Sequence, residues 1–253
     1  MNLELKEKVV VVTGASKGIG KATAKKFAAE EAHVIITYDK DQKTALRTAE
    51  EIQAQGYSCQ AVRLNLGNSE SIRNAVTFIG KEFGGIDVLV NNAVFWGSAE
   101  PKFEPFEHTL TDNWYSVIDL NLKGTYLVTK AVLPYMRNRE WGRLVHVSSN
   151  LAEDGMPGGT SYTASKSALF GFSKSLSLEL AAQSIFSNVV MPGFTLTESN
   201  SSVFPQDMLK KHAESIPAKR LGTPDDAANL IVYLGSKANS FVTGEAVRVT
   251  GGK

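Results

Sequence analysis

The chain has 253 residues, of which 43% are hydrophobic and 21% charged, a composition typical of a globular protein that excludes a disordered or fibrous one. Its 27 Lys and Arg residues nearly balance its 26 Asp and Glu residues, and a net charge of +1 gives no long-range field to attract nucleic acid. Cys59 is the only cysteine, which excludes an intramolecular disulfide and a cysteine-based metal cluster.

Residues 1–8 alternate charged and apolar side chains, and no window approaches the length of about 20 apolar residues that a membrane span needs. We therefore expect neither an export signal nor a membrane anchor, no membrane partner, and a cytoplasmic location. A length near 250 residues is compatible with a single α/β domain, and no Gly-, Ser- or Pro-rich linker divides the chain.

Short β-rich runs alternate with longer amphipathic windows from one end of the chain to the other. Seven strands are predicted, at residues 9–13, 33–37, 58–64, 86–90, 143–148, 185–190 and 246–249. Helices are predicted between them, at residues 19–30, 41–55, 69–83, 112–139, 161–182 and 224–234. This order predicts a doubly wound α/β fold, in which a seven-stranded parallel sheet carries helices on both faces.

A glycine-rich turn follows the first predicted strand and begins the first helix. It contains Gly14, Gly18 and Gly20. Glycines allow a tight turn and a close approach of the backbone, and the free N–H groups at a helix N-terminus stabilise an anion. We interpret the turn as a binding site for the phosphates of a nucleotide.

A tyrosine and a lysine lie four residues apart in a later helix, at Tyr162 and Lys166. Such a pair lies on one helix face about a turn apart. An unperturbed tyrosine ionises near pH 10, so it needs a nearby cation to act as an acid or base at neutral pH. Ser149 ends the fifth predicted strand thirteen residues earlier and can donate a hydrogen bond to a substrate oxygen, whereas Ser148 is expected to be structural.

Two segments interrupt the regular alternation, at residues 94–111 and 194–217. Both follow strand ends, where open α/β sheets bind ligands, so we expect them to form the walls of a substrate site. The aromatic residues of the first segment fit either the core or that wall: Phe95, Trp96, Phe103 and Phe106. No metal site is predicted, because the four histidines lack ligand spacing: His33, His108, His146 and His212. We expect His146 to be an interior or interface residue.

In their order and spacing these motifs resemble the short-chain dehydrogenase/reductase family, and most closely its 3-oxoacyl-thioester (acyl-carrier-protein) reductases. The resemblance rests on G-x-x-x-G-x-G at 14–20, Asn-Asn-Ala at 91–93, Asn121, Ser149, Y-x-x-x-K at 162–166 and P-G-x-x-x-T at 192–197. Val94 stands where the family has a glycine. The resemblance implies a single Rossmann-type NAD(P)-binding domain that interconverts a ketone and a secondary alcohol by hydride transfer.

By the same resemblance, the catalytic residues are Asn121, Ser149, Tyr162 and Lys166, with Tyr162 as the general acid/base. The residues implied to contact the cofactor are Gly14, Ser16, Lys17, Gly18, Ile19, Gly20, Tyr38, Asp39, Asn65, Leu66, Asn92, Ala93, Tyr162, Lys166, Pro192, Gly193, Thr195 and Thr197. An acidic residue ending the second strand favours NAD, and a basic residue nearby favours NADP. Asp39 and Lys17 give opposite indications, and we expect NADP(H) on the basis of Lys17.

Substrate identity stays open at this point. Glu140, Leu178 and Gln183 stand where carrier-dependent relatives tend to have basic residues, which favours a specialised small carbonyl or alcohol as the alternative to an acyl-carrier thioester. A catalytically silent nucleotide sensor is less favoured, because both Tyr162 and Lys166 are kept. A largely structural subunit is the remaining alternative. The family resemblance implies a homotetramer assembled through the helices at 112–139 and 161–182.

Overall fold

A computed structural model describes residues 1–97 and 105–253 of the chain. Its sheet has seven parallel strands: β1 (Val9–Val12), β2 (His33–Tyr38), β3 (Cys59–Arg63), β4 (Val88–Asn91), β5 (Gly142–Val147), β6 (Ile185–Pro192) and β7 (Ala246–Val249). They are arranged in the order β3-β2-β1-β4-β5-β6-β7. The order reverses direction between β1 and β4, as in a doubly wound fold, so the predicted fold class is confirmed.

The helices of the described residues are α1 (Gly18–Ala29), α2 (Gln42–Gln53), α3 (Ser69–Glu82), α4 (Thr111–Ile118), α5 (Gly124–Asn138), α6 (Leu151–Asp154), α7 (Thr160–Leu180), α8 (Gln206–Ser215) and α9 (Pro224–Leu234). Short 3₁₀ turns occupy Phe106–His108 and Ala181–Gln183. Asn68 and Asp41 accept backbone N–H groups at the starts of α3 and α2, which fixes where these two helices begin.

The sheet separates two apolar cores, because side chains of a strand point alternately to opposite faces. Val10 and Val12 pack against α1, α2 and α9 on one face, whereas Val9 and Val11 pack against α3 and α5 on the other. All four valines are buried. Burial on both faces explains why β1 is a continuous run of valines, without the polar alternation of a half-exposed strand.

The segment predicted as a helix at 112–139 is helical from Thr111 to Asn138, but it is not a regular α-helix throughout. A π-turn over Asp119–Lys123 separates α4 from α5. Such a turn carries one extra residue per turn and is frequent at functional sites. Asn121 lies inside it and is buried.

The predicted loop at 194–217 contains α8, which its sequence did not indicate. This helix is mostly exposed, and Leu209 is its buried residue. One buried side chain in ten residues leaves little of the apolar periodicity on which helix prediction depends. Part of the other predicted wall, residues 98–104, lies outside the described residues and includes Phe103. Across the described ranges, no helix combines the length and hydropathy needed to cross a bilayer.

Candidate active site

The glycine turn after β1 packs directly against the residues that follow β4. Gly14 has a φ of +62°, and a side-chain carbon there would lie 2.8 Å from the backbone of Ala93. Asn92 donates from Nδ2 to the carbonyls of Thr13 and Gly14, at 2.9 and 3.2 Å. The Asn-Asn-Ala segment therefore supports the turn from behind, and only glycine fits at position 14.

The turn already binds one anionic group, which belongs to the chain itself. The backbone N–H of Gly18, the first residue of α1, donates to a carboxylate oxygen of Glu198 at 3.1 Å. A helix N-terminus attracts negative charge, and a carboxylate satisfies the free N–H much as a phosphate oxygen does. Glu198 was not identified from the sequence. Its position directly after Thr197, an expected cofactor contact, could have indicated that it lies near the glycine turn.

The end of β2 presents an unsatisfied acidic group. The Oδ1 atom of Asp39 is buried without a hydrogen-bond partner, while Arg63 donates to the Asp39 carbonyl at 3.2 Å. Lys17 lies close enough to Asp41, the N-cap of α2, to contribute to the lowered pKa of that carboxyl; the hydrogen bonds from Thr44 are the larger cause. The Asp39 carboxylate, which can accept a hydrogen bond from a ribose hydroxyl, therefore lies near Lys17 and Arg63. The charges of these two residues suit a phosphate on that ribose.

Asn65 and Leu66 follow β3 at the same edge of the sheet. The Asn65 side-chain oxygen accepts the N–H of Gly67 at 2.7 Å, which forms a local turn. Leu66 packs against Gly124 at the start of α5, where an added side-chain carbon would lie 2.8 Å from the Leu66 Cβ. Both residues are therefore placed at the carboxyl ends of the strands, where the sequence expected them.

Ser149, Tyr162 and Lys166 come together in the structure. The Ser149 hydroxyl lies close enough to the Tyr162 side chain to lower its pKa, and the Lys166 Nζ lies 6.0 Å from the centre of the Tyr162 ring. All three residues are buried. Lys166 donates to the Val147 carbonyl at 2.8 Å, which holds its ammonium at the end of β5. Ser148 instead donates to the Lys166 carbonyl at 2.9 Å, a structural contact.

Burial shifts the acidity of this pair in opposite directions. It raises the pKa of Tyr162 to about 12, against a smaller lowering by the hydrogen bond to Ser149. It lowers the pKa of Lys166 to about 8. Water stabilises charged forms, so its exclusion favours a neutral phenol and a neutral amine. At neutral pH Tyr162 is protonated and Lys166 is mostly an ammonium, a state suited to donating a proton.

Asn121 is buried beside this group and holds the loop after β4. Its side-chain oxygen accepts the N–H of Phe95 at 2.8 Å, and its Nδ2 donates to the Phe95 carbonyl at 2.9 Å and more distantly to Ser165 at 3.4 Å. The Asn121 carbonyl accepts the Thr125 hydroxyl at 2.7 Å. The side chain thus joins the π-turn to the loop at two points.

Among the described aromatic residues considered for the substrate wall, Trp96 contacts the Tyr162 ring. Its ring stacks on Tyr162 with 4.0 Å between centroids and 14° between planes. Phe95 is partly buried, whereas Phe106 is 69% exposed. From the sequence, Trp96 was considered for the core or the wall and was not paired with Tyr162.

The segment after β6 closes the site on its remaining side. Gly193 donates to the Val249 carbonyl at 2.9 Å, which ties the segment to β7. The Thr195 hydroxyl donates to the Gly193 carbonyl at 3.0 Å, and the Thr197 N–H donates to the Asn200 side chain at 2.8 Å. Thr197 also lies within 3.4 Å of a side-chain carbon built at Gly18, so this segment borders the glycine turn.

A buried polar network lies behind the site, around His146. One ring nitrogen is hydrogen-bonded to Asn91 at 3.1 Å and the other to Ser187 at 3.2 Å. Complete burial, with the charge of Lys166 as a smaller cause, lowers the pKa of His146 to about 3. His146 is therefore a neutral interior residue, as expected from the sequence.

These features fit a dinucleotide. The glycine turn can offer the Gly18 N–H to a phosphate, the unsatisfied Oδ1 of Asp39 can accept a hydrogen bond from a ribose, and Lys166 and Tyr162 lie together at the end of β5. Among residues 1–97 and 105–253, no cluster of His, Cys, Asp and Glu side chains is arranged to hold a metal ion. The arrangement can donate a proton to an oxygen atom beside a bound nicotinamide.

Known proteins are similar to this chain along nearly its whole length. A family model described as Enoyl-(Acyl carrier protein) reductase matches residues 14–253. The 3-oxoacyl-[acyl-carrier-protein] reductase FabG of Aquifex aeolicus is 39% identical over 253 residues, covering 100% of this chain and 99% of that protein. The human dehydrogenase/reductase SDR family member 4 is 36% identical over 250 residues, covering 98% of this chain and 88% of that protein.

A solved structure gives the same result for the fold. The crystal structure of a dehydrogenase/reductase from Sinorhizobium meliloti 1021 superposes with a TM-score of 0.90 and 33% sequence identity. The match covers 99% of this chain and 96% of that one.

Proposed function

The chain belongs to the short-chain dehydrogenase/reductase family, whose members interconvert CH–OH and C=O groups with NAD(P)(H), and we propose that it reduces a ketone to a secondary alcohol with Tyr162 as the general acid. One observation supports this most strongly: a protonated, buried phenol beside the Ser149 hydroxyl, with an ammonium 6.0 Å from its ring. Oxidation of the alcohol is the reverse reaction at the same residues.

The mechanism assigns each polar group one task. Ser149 and Tyr162 donate hydrogen bonds to the substrate oxygen, where negative charge develops. Tyr162 then transfers its proton to that oxygen, and Lys166 stabilises the resulting phenolate by its charge. When bound, the reduced nicotinamide supplies the hydride that the carbonyl carbon accepts. Asn121 holds the Phe95 backbone and with it the wall of the site.

The cofactor contacts implied by the family resemblance form one continuous surface in this proposal. The glycine turn and Ser16 border the phosphates, and Asn65 and Leu66 border the adenine. Asn92 and Ala93 support the turn, and the segment from Pro192 to Thr197 borders the nicotinamide. Their common position at the carboxyl ends of the strands supports this assignment.

We propose NADP(H) as the preferred cofactor, because Lys17 and Arg63 lie near the end of β2 and can neutralise a 2′-phosphate. Asp39 opposes this preference by its charge. We expect a higher kcat/KM for NADPH than for NADH, a smaller ratio in Lys17→Met and a larger one in Asp39→Asn. A wild type that prefers NADH, and loses that preference in Asp39→Asn, would show that the buried carboxylate selects NAD.

For the substrate we propose a 3-oxoacyl thioester, as in the names of the 3-oxoacyl-[acyl-carrier-protein] reductase relatives. A specialised small ketone is the alternative, supported by the absence of basic side chains at Glu140, Leu178 and Gln183. Comparing an acyl-carrier thioester with the same acyl group on a short thiol separates the two, because only a docked carrier lowers KM.

We also propose that the chain assembles as a homotetramer through its long helices. Large apolar side chains are exposed on or beside α4, α5 and α7: Leu110, Tyr115, Tyr126 and Leu178. Leu178 is 80% exposed, which is unfavourable unless another copy covers it. Light scattering of the wild type and Leu178→Glu tests this, since a charged residue would reduce the assembled mass.

The experiment that tests the reductase proposal compares Tyr162→Phe with Tyr115→Phe, a matched change at an exposed tyrosine. Carbonyl-dependent oxidation of NADPH should fall about 10² to 10⁴-fold in the first variant and remain in the second. Tight cofactor binding without turnover on β-keto thioesters and small ketones, unaffected by Tyr162→Phe, would instead support a nucleotide sensor.

A further inference from the structure

Trp96 covers the ring of the proton donor. The two rings are almost parallel, 14° apart, with their centroids separated by 4.0 Å. Tyr162 keeps only 7% of its surface exposed, whereas Trp96 remains 50% exposed. The indole therefore lies between the phenol ring and solvent, and aromatic stacking favours this arrangement.

The backbone next to Trp96 is held by hydrogen bonds on one side and has a glycine-specific conformation on the other. On one side, Phe95 makes two hydrogen bonds with the buried Asn121, at 2.8 and 2.9 Å. On the other side, Gly97 has a φ of +117°, and a side-chain carbon there would lie 3.0 Å from Asn113, so this position favours glycine. The two bonds to Asn121 anchor the residue next to Trp96 and so limit how far the indole can move from Tyr162.

We propose that Trp96 is a positioning residue that acts through Tyr162, by fixing the phenol ring and excluding water from its covered face. The proposal rests on the reductase function, in which Tyr162 is the proton donor. Trp96 itself transfers no proton and carries no charge. Its effect on the reaction is to keep the phenol protonated until the substrate oxygen needs the proton.

The surroundings of Tyr162 make water exclusion the decisive factor. Within the described ranges, the Lys166 ammonium lies 6.0 Å from the centre of its ring, and the Ser149 hydroxyl lies beside its own. The Ser149 hydroxyl lowers the pKa of Tyr162, yet burial outweighs this effect and raises that pKa to about 12. Admitting water to the face that Trp96 covers would therefore lower this pKa.

The test compares Trp96→Ala and Trp96→Phe with Trp141→Phe as the matched control. Trp141 lies at the start of β5, at the opposite end of that strand from Ser149, and contacts the cations of Lys8 and Arg143. Two quantities are measured: the ionisation of Tyr162 by carbon NMR in the cofactor-free protein, and the pH dependence of kcat for alcohol oxidation. The NMR signal is assigned by its loss in Tyr162→Phe.

In the wild type the Tyr162 signal should remain that of a phenol up to about pH 11. Trp96→Ala should lower the pKa by about one unit or more and shift the rising limb of the oxidation profile equally. Trp96→Phe should restore most of both values, and Trp141→Phe should change neither. A fall in kcat in Trp96→Ala with neither shift would overturn the proposal, because it would show a structural role alone.

The NMR measurement also separates this proposal from the function on which it rests. An altered Tyr162 ionisation in Trp96→Ala, with no turnover in the wild type, would overturn the reductase function while supporting the control of the phenol by Trp96. An unaltered ionisation together with normal turnover would retain the reductase and overturn the positioning role.

Discussion

Replacing Lys166 by methionine should remove about 99% of the reductase activity at neutral pH. The ammonium lies 6.0 Å from the centre of the ring on which negative charge develops. With an effective dielectric constant of about 20, Coulomb's law gives about 2.8 kcal/mol for unit charges at this separation, or about a hundredfold in rate. Methionine keeps a long apolar side chain in the buried site, so the fold should persist.

The pH dependence gives this prediction a second, independent measurement. Burial lowers the pKa of Lys166 to about 8, so the stabilising charge is present below that pH and is lost as the pH rises through it. The kcat for ketone reduction, measured at saturating NADPH, should therefore decline above about pH 8 in the wild type. In Lys166→Met the decline should disappear, because no charge remains to be lost.

The control is Lys174→Met, the same substitution on the same helix. Lys174 is exposed and pairs with Glu245 at 3.8 Å on the surface, so its loss should change kcat by less than about twofold. A separate titration with NADPH measures how much Lys166 contributes to cofactor binding, so that this contribution can be separated from the effect on kcat. A Lys166→Met enzyme within threefold of the wild type, or one that still declines above about pH 8, would refute the electrostatic role.

Three further predictions concern the cofactor turn and the core. Glu198→Gln should tighten NADPH binding about threefold or more, because the carboxylate competes for the Gly18 N–H; Glu214→Gln on α8 serves as the control in a fluorescence titration, and equal affinities would contradict the competition. His146, with its pKa lowered to about 3, contributes stability that is complete above about pH 6.5 and lost as the pH falls below it. His146→Asn should accordingly reduce the drop in melting temperature between pH 7 and pH 5, and an unchanged drop would assign the acid sensitivity to other groups. Phe27→Ala should lower the free energy of unfolding by about 3 to 5 kcal/mol in urea, because its fully buried ring packs against α9; a loss below about 1 kcal/mol would mean that the neighbouring helices close the cavity.

Features that depend on residues close together in the chain were predictable from the sequence. The valine run of β1 is buried on both faces, as a continuous apolar strand in a parallel sheet must be. Tyr162 and Lys166 lie on one face of α7 because four residues make about one helical turn. Ser149 was expected beside Tyr162 from the thirteen-residue spacing and the family resemblance, and the structure brings the two together.

The parts that the sequence did not indicate depend on contacts between distant segments. The stack of Trp96 on Tyr162 and the bond from Gly18 to Glu198 join residues whose separation in the chain has no fixed geometry. The π-turn is also invisible to periodicity, because one extra residue shifts the apolar pattern by only about 100°. A weakly buried helix such as α8 leaves too few apolar positions to detect.

That π-turn sets a limit on how this enzyme can be made more stable. Deleting one residue from Asp119–Lys123 would join α4 and α5 into a regular α-helix. The regular backbone hydrogen bonds would make that helix more stable when considered by itself. The same deletion would rotate α4 by about 100° relative to α5 and separate Asn121 from the Phe95 backbone. Selection for thermostability alone would therefore favour a shorter helix that no longer holds the wall over the proton donor.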